Sequence, residues 1–111
     1  MAFSRLSFVK LKPDVSMEDT RKIWEGSVIP AAKDQHGFIG GFLLVTEQRD
    51  EAVAVTLWES KDDALAGEQS SYYQDQVRKF VGFLAAPLET KYYDVNSEIV
   101  FLKAHVSKGR V

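Results

Sequence analysis

The side chains able to do chemistry in this chain are few. They are two histidines, His36 and His105; two adjacent tyrosine pairs, Tyr72–Tyr73 and Tyr92–Tyr93; two tryptophans, Trp24 and Trp58; and Arg5 in an apolar stretch. His36 stands just before Gly37. It reads either as a general base near neutral pH or as a plain loop histidine, and the loop reading is favoured. His105 lies among Lys103, Lys108 and Arg110 and reads as solvated. Two histidines so far apart, with no paired carboxylate spacing, make no metal motif. Tyr92 and Tyr93 face opposite sides if they lie on a strand, so one must point inward. A buried tyrosine hydroxyl needs a partner, and a phenolic substrate supplies one. An inward Arg5 requires a carboxylate or an anionic ligand, because an unpaired buried charge is very costly. An outward Arg5 is an ordinary surface arginine, and that orientation is the expectation.

Other chemistries lack their signatures. With no cysteine, disulfides, thiolate catalysis and zinc–sulfur sites are excluded. There is no nucleophile elbow, no P-loop and no dinucleotide-binding glycine pattern; Gly37, Gly40 and Gly41 have the wrong spacing for phosphate. The acidic pair Asp62-Asp63 reads as helix capping. A formal charge of −2 offers no general field for nucleic acid or an anionic membrane. No apolar run approaches the length of a membrane span, and no secretory signal is read at the N-terminus. A cytoplasmic protein is the expectation. Aromatic residues make up 12% of the chain, which implies an extensive core, an interface or a lined pocket.

These residues must be positioned by elements that the 111-residue sequence punctuates clearly. Residues 3–11 read as a first strand, stopped by Pro13. Asp14 or Ser16 then caps a helix, on which Met17, Thr20, Trp24, Val28 and Ala31 recur at helical spacing beside Ile23. Pro30 should kink or restart that helix. Residues 38–46 read as a second strand, residues 47–50 as a charged hairpin, and residues 51–59 as a third strand that is apolar on both faces, as if both were covered. Ser60 and Asp63 stand as a cap for the next helix, with a break expected near Gly67 and Ser70-Ser71. A further helix over 72–85 carries Tyr73, Val77, Phe80, Val81 and Leu84 as one buried stripe, leaving Tyr72 to point elsewhere. Residues 88–95 read as the last strand of the unit and 98–106 as an extra strand-like piece.

The order β-α-β-β-α-β is that of a ferredoxin-like α+β domain. Residues 1–106 read as one such domain, and 107–111 as a basic tail. Helices cover one face of such a sheet, so an apolar second face asks for a twin subunit, with the C-terminal strand reaching across to it.

The segment Gly37-Phe38-Ile39-Gly40-Gly41-Phe42-Leu43-Leu44, the hairpin, and Ala54-Val55-Thr56-Leu57-Trp58-Glu59-Ser60-Lys61 resemble the core of the antibiotic-biosynthesis-monooxygenase-like (ABM) proteins. The resemblance implies a dimeric α/β barrel. It further implies a cofactor-independent, monooxygenase-like enzyme that oxidises a small aromatic or quinol-type compound with dioxygen, without metal or flavin. The haem-degrading branch of that superfamily uses an Asn, a Trp and a His at positions that fall on Ser4, Gly67 and Val77 here, and none matches. The expected catalytic residues are His36, Arg5 and Tyr72. The expected binding residues for a small apolar or aromatic molecule are Trp24, Phe42, Trp58 and Tyr92, with packing the favoured role for both tryptophans. The alternative is a non-catalytic dimeric ligand-binding or stress-related domain, its helix–sheet space filled by Met17, Trp24, Phe42 and Phe80.

Overall fold

Phe3, Leu6, Phe8 and Val9, set among short polar residues and Arg5, build the first strand, and two further strands pair with it. The computed structural model describes residues 2–99. After β1 (Phe3–Lys10) come α1 (Met17–Ile23), a π-helical turn (Trp24–Val28) and α2 (Ile29–Lys33). Then follow β2 (Phe38–Val45), β3 (Glu51–Trp58), α3 (Lys61–Gln69), α4 (Ser71–Phe80), a 3₁₀ turn (Val81–Phe83) and β4 (Glu89–Asp94). The four strands form one antiparallel sheet in the order β2-β3-β1-β4. This is the ferredoxin-like arrangement expected from the element order.

Local signals act as their chemistry requires. The Ser16 hydroxyl accepts from the Asp19 amide at 3.2 Å, and the Ser60 hydroxyl from the Asp63 amide at 3.1 Å, so both helices are capped. Thr46 and Arg49 shape the hairpin; Arg49 sits in the left-handed region with φ of 63°. Before Pro30 the helix does not simply bend. It widens into the π turn, where the Ile29 amide donates to the Trp24 carbonyl. That turn inserts one residue into the helical repeat. The buried stripe therefore lands on Ala32, which is fully buried, rather than on Ala31.

Other expectations need correction. The expected break falls at Ser70, which ends α3 and begins α4, but Gly67 stays helical. A Cβ on Gly67 would approach the Trp58 ring to 3.0 Å, so this glycine exists for packing. Helix α4 tightens after Phe80, and the rotation throws Val81 out to 55% exposure, off the buried stripe. Residues 95–99 form no strand. The rest of the expected C-terminal strand, His105 and the basic tail lie outside the described residues.

The register separates two sets of strand residues. Phe3, Arg5, Ser7 and Val9 face the helices and align with Trp58, Thr56, Ala54 and Ala52. Leu6 and Phe8 face the other way and align with Val55 and Val53, which in turn align with Phe42 and Leu44. Within the single chain this second face has no helix over it, and Phe42 is 58% exposed and Leu44 52%.

Candidate active site

Between the sheet and the helices lies a cavity of about 100 Å³. Its floor contains Ser7, Ala52 and Ala54, small side chains at adjacent register positions that leave room above the strands. Its roof is formed by Trp24 and Val28 of the π turn and by Tyr72, Tyr73, Val77 and Phe80 of α4. The lining is overwhelmingly apolar, with Arg5 as its charged member. An apolar hollow with a few convergent polar groups is the form a small-molecule site takes.

Arg5 is the centre of the arrangement. It is 3% exposed, so the outward orientation expected from the sequence is wrong. The inward charge is compensated as burial demands. Nη1 donates to the Ala64 carbonyl at 3.2 Å and lies 3.5 Å from Glu68 Oε1, both on α3. The guanidinium carbon stands 4.7 Å from the Tyr73 ring centroid and 5.3 Å from that of Trp58. Among the described residues, its hydrogen bond and ion pair both run through Nη1. Nε and Nη2 therefore keep donor capacity beside the cavity.

The tyrosines divide. Tyr73 lines the cavity as its helical position requires, but Tyr72 lines it too, contrary to the expectation that it points elsewhere. Burial pushes the Tyr72 hydroxyl up from its ordinary pKa, while the neighbouring Arg5 pulls it down. Tyr92 pairs with Arg5 across the β1–β4 register and shares its face of the sheet. Its hydroxyl donates to Glu68 Oε1. Burial, with that carboxylate, pushes Tyr92 up to about 12. Both tyrosines are thus proton donors at neutral pH and not bases. Tyr92 does not line the cavity; it holds Glu68 against Arg5.

The remaining expected site residues are elsewhere. His36 is exposed, outside the cavity, and its Nδ1 lies 2.8 Å from Asp63 Oδ1. The Asp63 carboxylate raises the His36 pKa, and the imidazole in turn lowers that of Asp63. It is a loop histidine that clasps the start of β2 to the N-terminus of α3, and not a catalytic base in this hollow. Trp58 is fully buried, donates from Nε1 to Thr56 Oγ1 at 3.0 Å and meets Phe38 edge-on at 5.3 Å. It is core and does not line the cavity. Phe42 lies on the opposite face of the sheet and neither lines nor fills the helix–sheet space. Trp24 is 7% exposed and serves both packing and lining.

Glu68 is the member that sequence reasoning missed. Its signal was present: Ala64, Gly67 and Glu68 share one helical face by their i, i+3, i+4 spacing, so an acid there faces the sheet. Among the described residues no three histidine or carboxylate side chains gather as a metal site. Among the described residues no helix is long and apolar enough to cross a membrane.

No family model and no curated protein matches the sequence. Solved structures do match in shape. SnoaB, a cofactor-independent oxygenase from Streptomyces nogalater, superposes with a TM-score of 0.72 at 10% identity, over 88% of this chain and 96% of that one. A monooxygenase from the gene ActVA-Orf6 of Streptomyces coelicolor, solved with nanaomycin D, gives 0.72 at 13% identity, over 89% and 91%. A protein provisionally assigned as an antibiotic biosynthesis monooxygenase from Bordetella bronchiseptica gives 0.69 at 21% identity, over 85% and 96%. With the element order and sheet order already in hand, these matches give the chain the α+β fold of the ABM-like structures, in line with the resemblance seen around its second and third strands.

Proposed function

We propose that this protein is a cofactor-independent monooxygenase that oxidises a small aromatic or quinol-type compound with dioxygen and works as a homodimer. The observation that carries the reading is the buried Arg5 guanidinium at the wall of an apolar cavity, with donor capacity left on Nε and Nη2. A phenol or enol entering that cavity loses its proton more readily beside a fixed cation in a low-dielectric site. The resulting anion gives one electron to dioxygen, and the substrate radical and superoxide combine to form a C–O bond. Loss of water from that hydroperoxide leaves a quinone. One oxygen atom ends in the product and one in water, and all four electrons come from the substrate. Arg5 orients the anion, while Tyr72, protonated in the site, donates a hydrogen bond to its oxygen.

The open face of the sheet supports the homodimer. Leu6, Phe8, Val53, Val55, Phe42 and Leu44 form a contiguous apolar surface of a kind that soluble monomers rarely expose. A two-fold partner presenting the same patch would bury it.

The test is dioxygen uptake with a panel of phenols and quinols, run on the wild-type protein and on Arg5→Lys. Uptake with at least one compound, reduced at least tenfold in the variant, supports the reading. Absence of uptake together with absence of ring-compound binding removes it.

The second reading, a non-catalytic dimeric ligand-binding domain, draws on the cavity's size. About 100 Å³ is less than the roughly 150 Å³ that accepts a benzene ring in an engineered protein cavity. Binding of apolar compounds, rings or smaller molecules, without oxygen uptake would favour it.

A further inference from the structure

A second hollow lies outside the first. It is an open groove of about 940 Å³ between α1 and the edge strand β2. Thr20, Trp24, Leu43 and Val45 line both the groove and the inner cavity. Trp24 borders open space on one side yet is only 7% exposed. Its indole therefore stands as a wall between two compartments.

The surroundings of that wall are built around it. Trp24 begins the π turn, whose widened hydrogen-bonding pattern is itself a departure from the α-helix that needs a reason. Across from it, β2 carries Gly41. A Cβ there would meet the Val55 carbonyl oxygen of the neighbouring strand at 2.7 Å and Trp24 Cζ2 at 3.2 Å, so the bare backbone is required first by the pairing with β3 and also leaves the indole close against β2. The inner compartment alone is tight for one aromatic ring. A ligand with a substituent on its ring needs further space, and the groove on the far side of Trp24 adjoins the cavity. On the outer side the groove presents Thr46 and charges of both signs, including Arg21, Arg49, Glu25 and Glu47. Glu18 there is already paired with Lys22 at 3.9 Å. Mixed charges of this kind match a neutral, hydrogen-bonding substituent better than a charged one.

Resting on the reading of the inner cavity as a ring-binding site, we propose that Trp24 is a partition between the two hollows that sets ligand size. The ligand is then bipartite: one aromatic ring lies in the inner cavity beside Arg5, and a neutral polar extension passes the indole edge into the outer groove.

The experiment compares binding of phenol, 4-(2-hydroxyethyl)phenol and 2-naphthol to the wild type, Trp24→Ala and Trp24→Phe by calorimetry. In the wild type, 4-(2-hydroxyethyl)phenol should bind about tenfold more tightly than 2-naphthol, the scale on which an apolar pocket discriminates by size. Trp24→Ala should abolish that preference by admitting the second fused ring. Trp24→Phe should reduce it about threefold, and it carries the test alone if the alanine variant does not fold. Acrylamide quenching of intrinsic fluorescence gives an independent readout, because the other tryptophan, Trp58, is fully buried. It should change when the extended phenol binds and stay constant with phenol. Ring ligands that bind with the same order of preference in wild type and variants overturn the partition and leave the ring-binding reading standing. Failure of every ring ligand to bind the wild type and both variants overturns that reading and the partition with it.

Discussion

The two faces of the sheet are made by alternate residues of the same strands, yet they are built for opposite purposes. The face under the helices carries Phe3 and Trp58 at one end and Val9 at the other, but between them it carries Arg5, Ser7, Ala54 and Thr56, which are small or polar. The open face carries Leu6, Phe8, Phe42, Leu44, Val53 and Val55, which are larger and apolar. A sheet that only packed its own helices would continue the large apolar residues of Phe3 and Trp58 through the middle stretch of the covered face. The covered face gives up packing volume and accepts a buried charge in order to keep a cavity. The open face holds the apolar area that a stable domain normally hides. The covered face thus has the composition of a binding site, and the open face that of an interface.

The largest effect should come from breaking the charge cluster on the covered face. Arg5→Ala leaves Glu68 without its cation and empties space between α3 and the sheet. A loss of about 3 kcal/mol is expected, the low end for breaking a buried ion pair because Glu68 is partly exposed. Urea unfolding measures it, and a loss below about 1 kcal/mol would mean the cluster is not structural. Next comes the open face. Val55→Lys places an uncompensated charge at its centre and should weaken self-association at least a hundredfold, read by sedimentation velocity at micromolar concentration. A wild-type protein that sediments as a monomer there would remove the contrast between the faces.

Ala54→Leu sharpens the comparison from the other direction. It should fill much of the inner cavity, raise stability by about 1 kcal/mol and weaken phenol binding about tenfold. Thermal melts and calorimetry on one variant test both halves. The smallest effect concerns the clasp at the edge of the fold. The His36 pKa lies above its ordinary 6.5 when folded, so its stabilising contribution is complete below about pH 6.5 and lost as pH rises through the raised value. Asp63 lies below its ordinary 3.8, so its contribution is present above about pH 3.8 and lost on further acidification. The clasp is therefore strongest in mildly acidic solution. Melting temperatures of wild type and His36→Ala should differ most near pH 5.5 and converge toward pH 9.

Much of the site was hidden from the sequence for identifiable reasons. Arg5 reads as a surface residue because its compensating acid, Glu68, is 63 positions away and joins it only when α3 packs on β1. Tyr72 was excluded from the buried stripe by ideal helical spacing, yet a cavity wall is broader than one stripe, and both members of the pair reach it. Phe42 reads as inward because β2 is apolar at every position from 42 to 45, so alternation gives no phase. Pairing with Val55 decided its face.

The linear order of residues was enough to determine the element order through β4, the Ser60 cap, a cap at Asp14 or Ser16 for the first helix, the hairpin and the helix disruption at Pro30. Each is dictated by neighbours within a few positions, through backbone hydrogen bonding and allowed dihedral angles. Tertiary structure alone decided which strand face receives the helices, where the π turn shifts the helical phase, and that an arginine, a glutamate and a tyrosine from three elements share one charge cluster. Those outcomes depend on contacts between residues distant in sequence, whose energies exist only once the sheet and helices have come together.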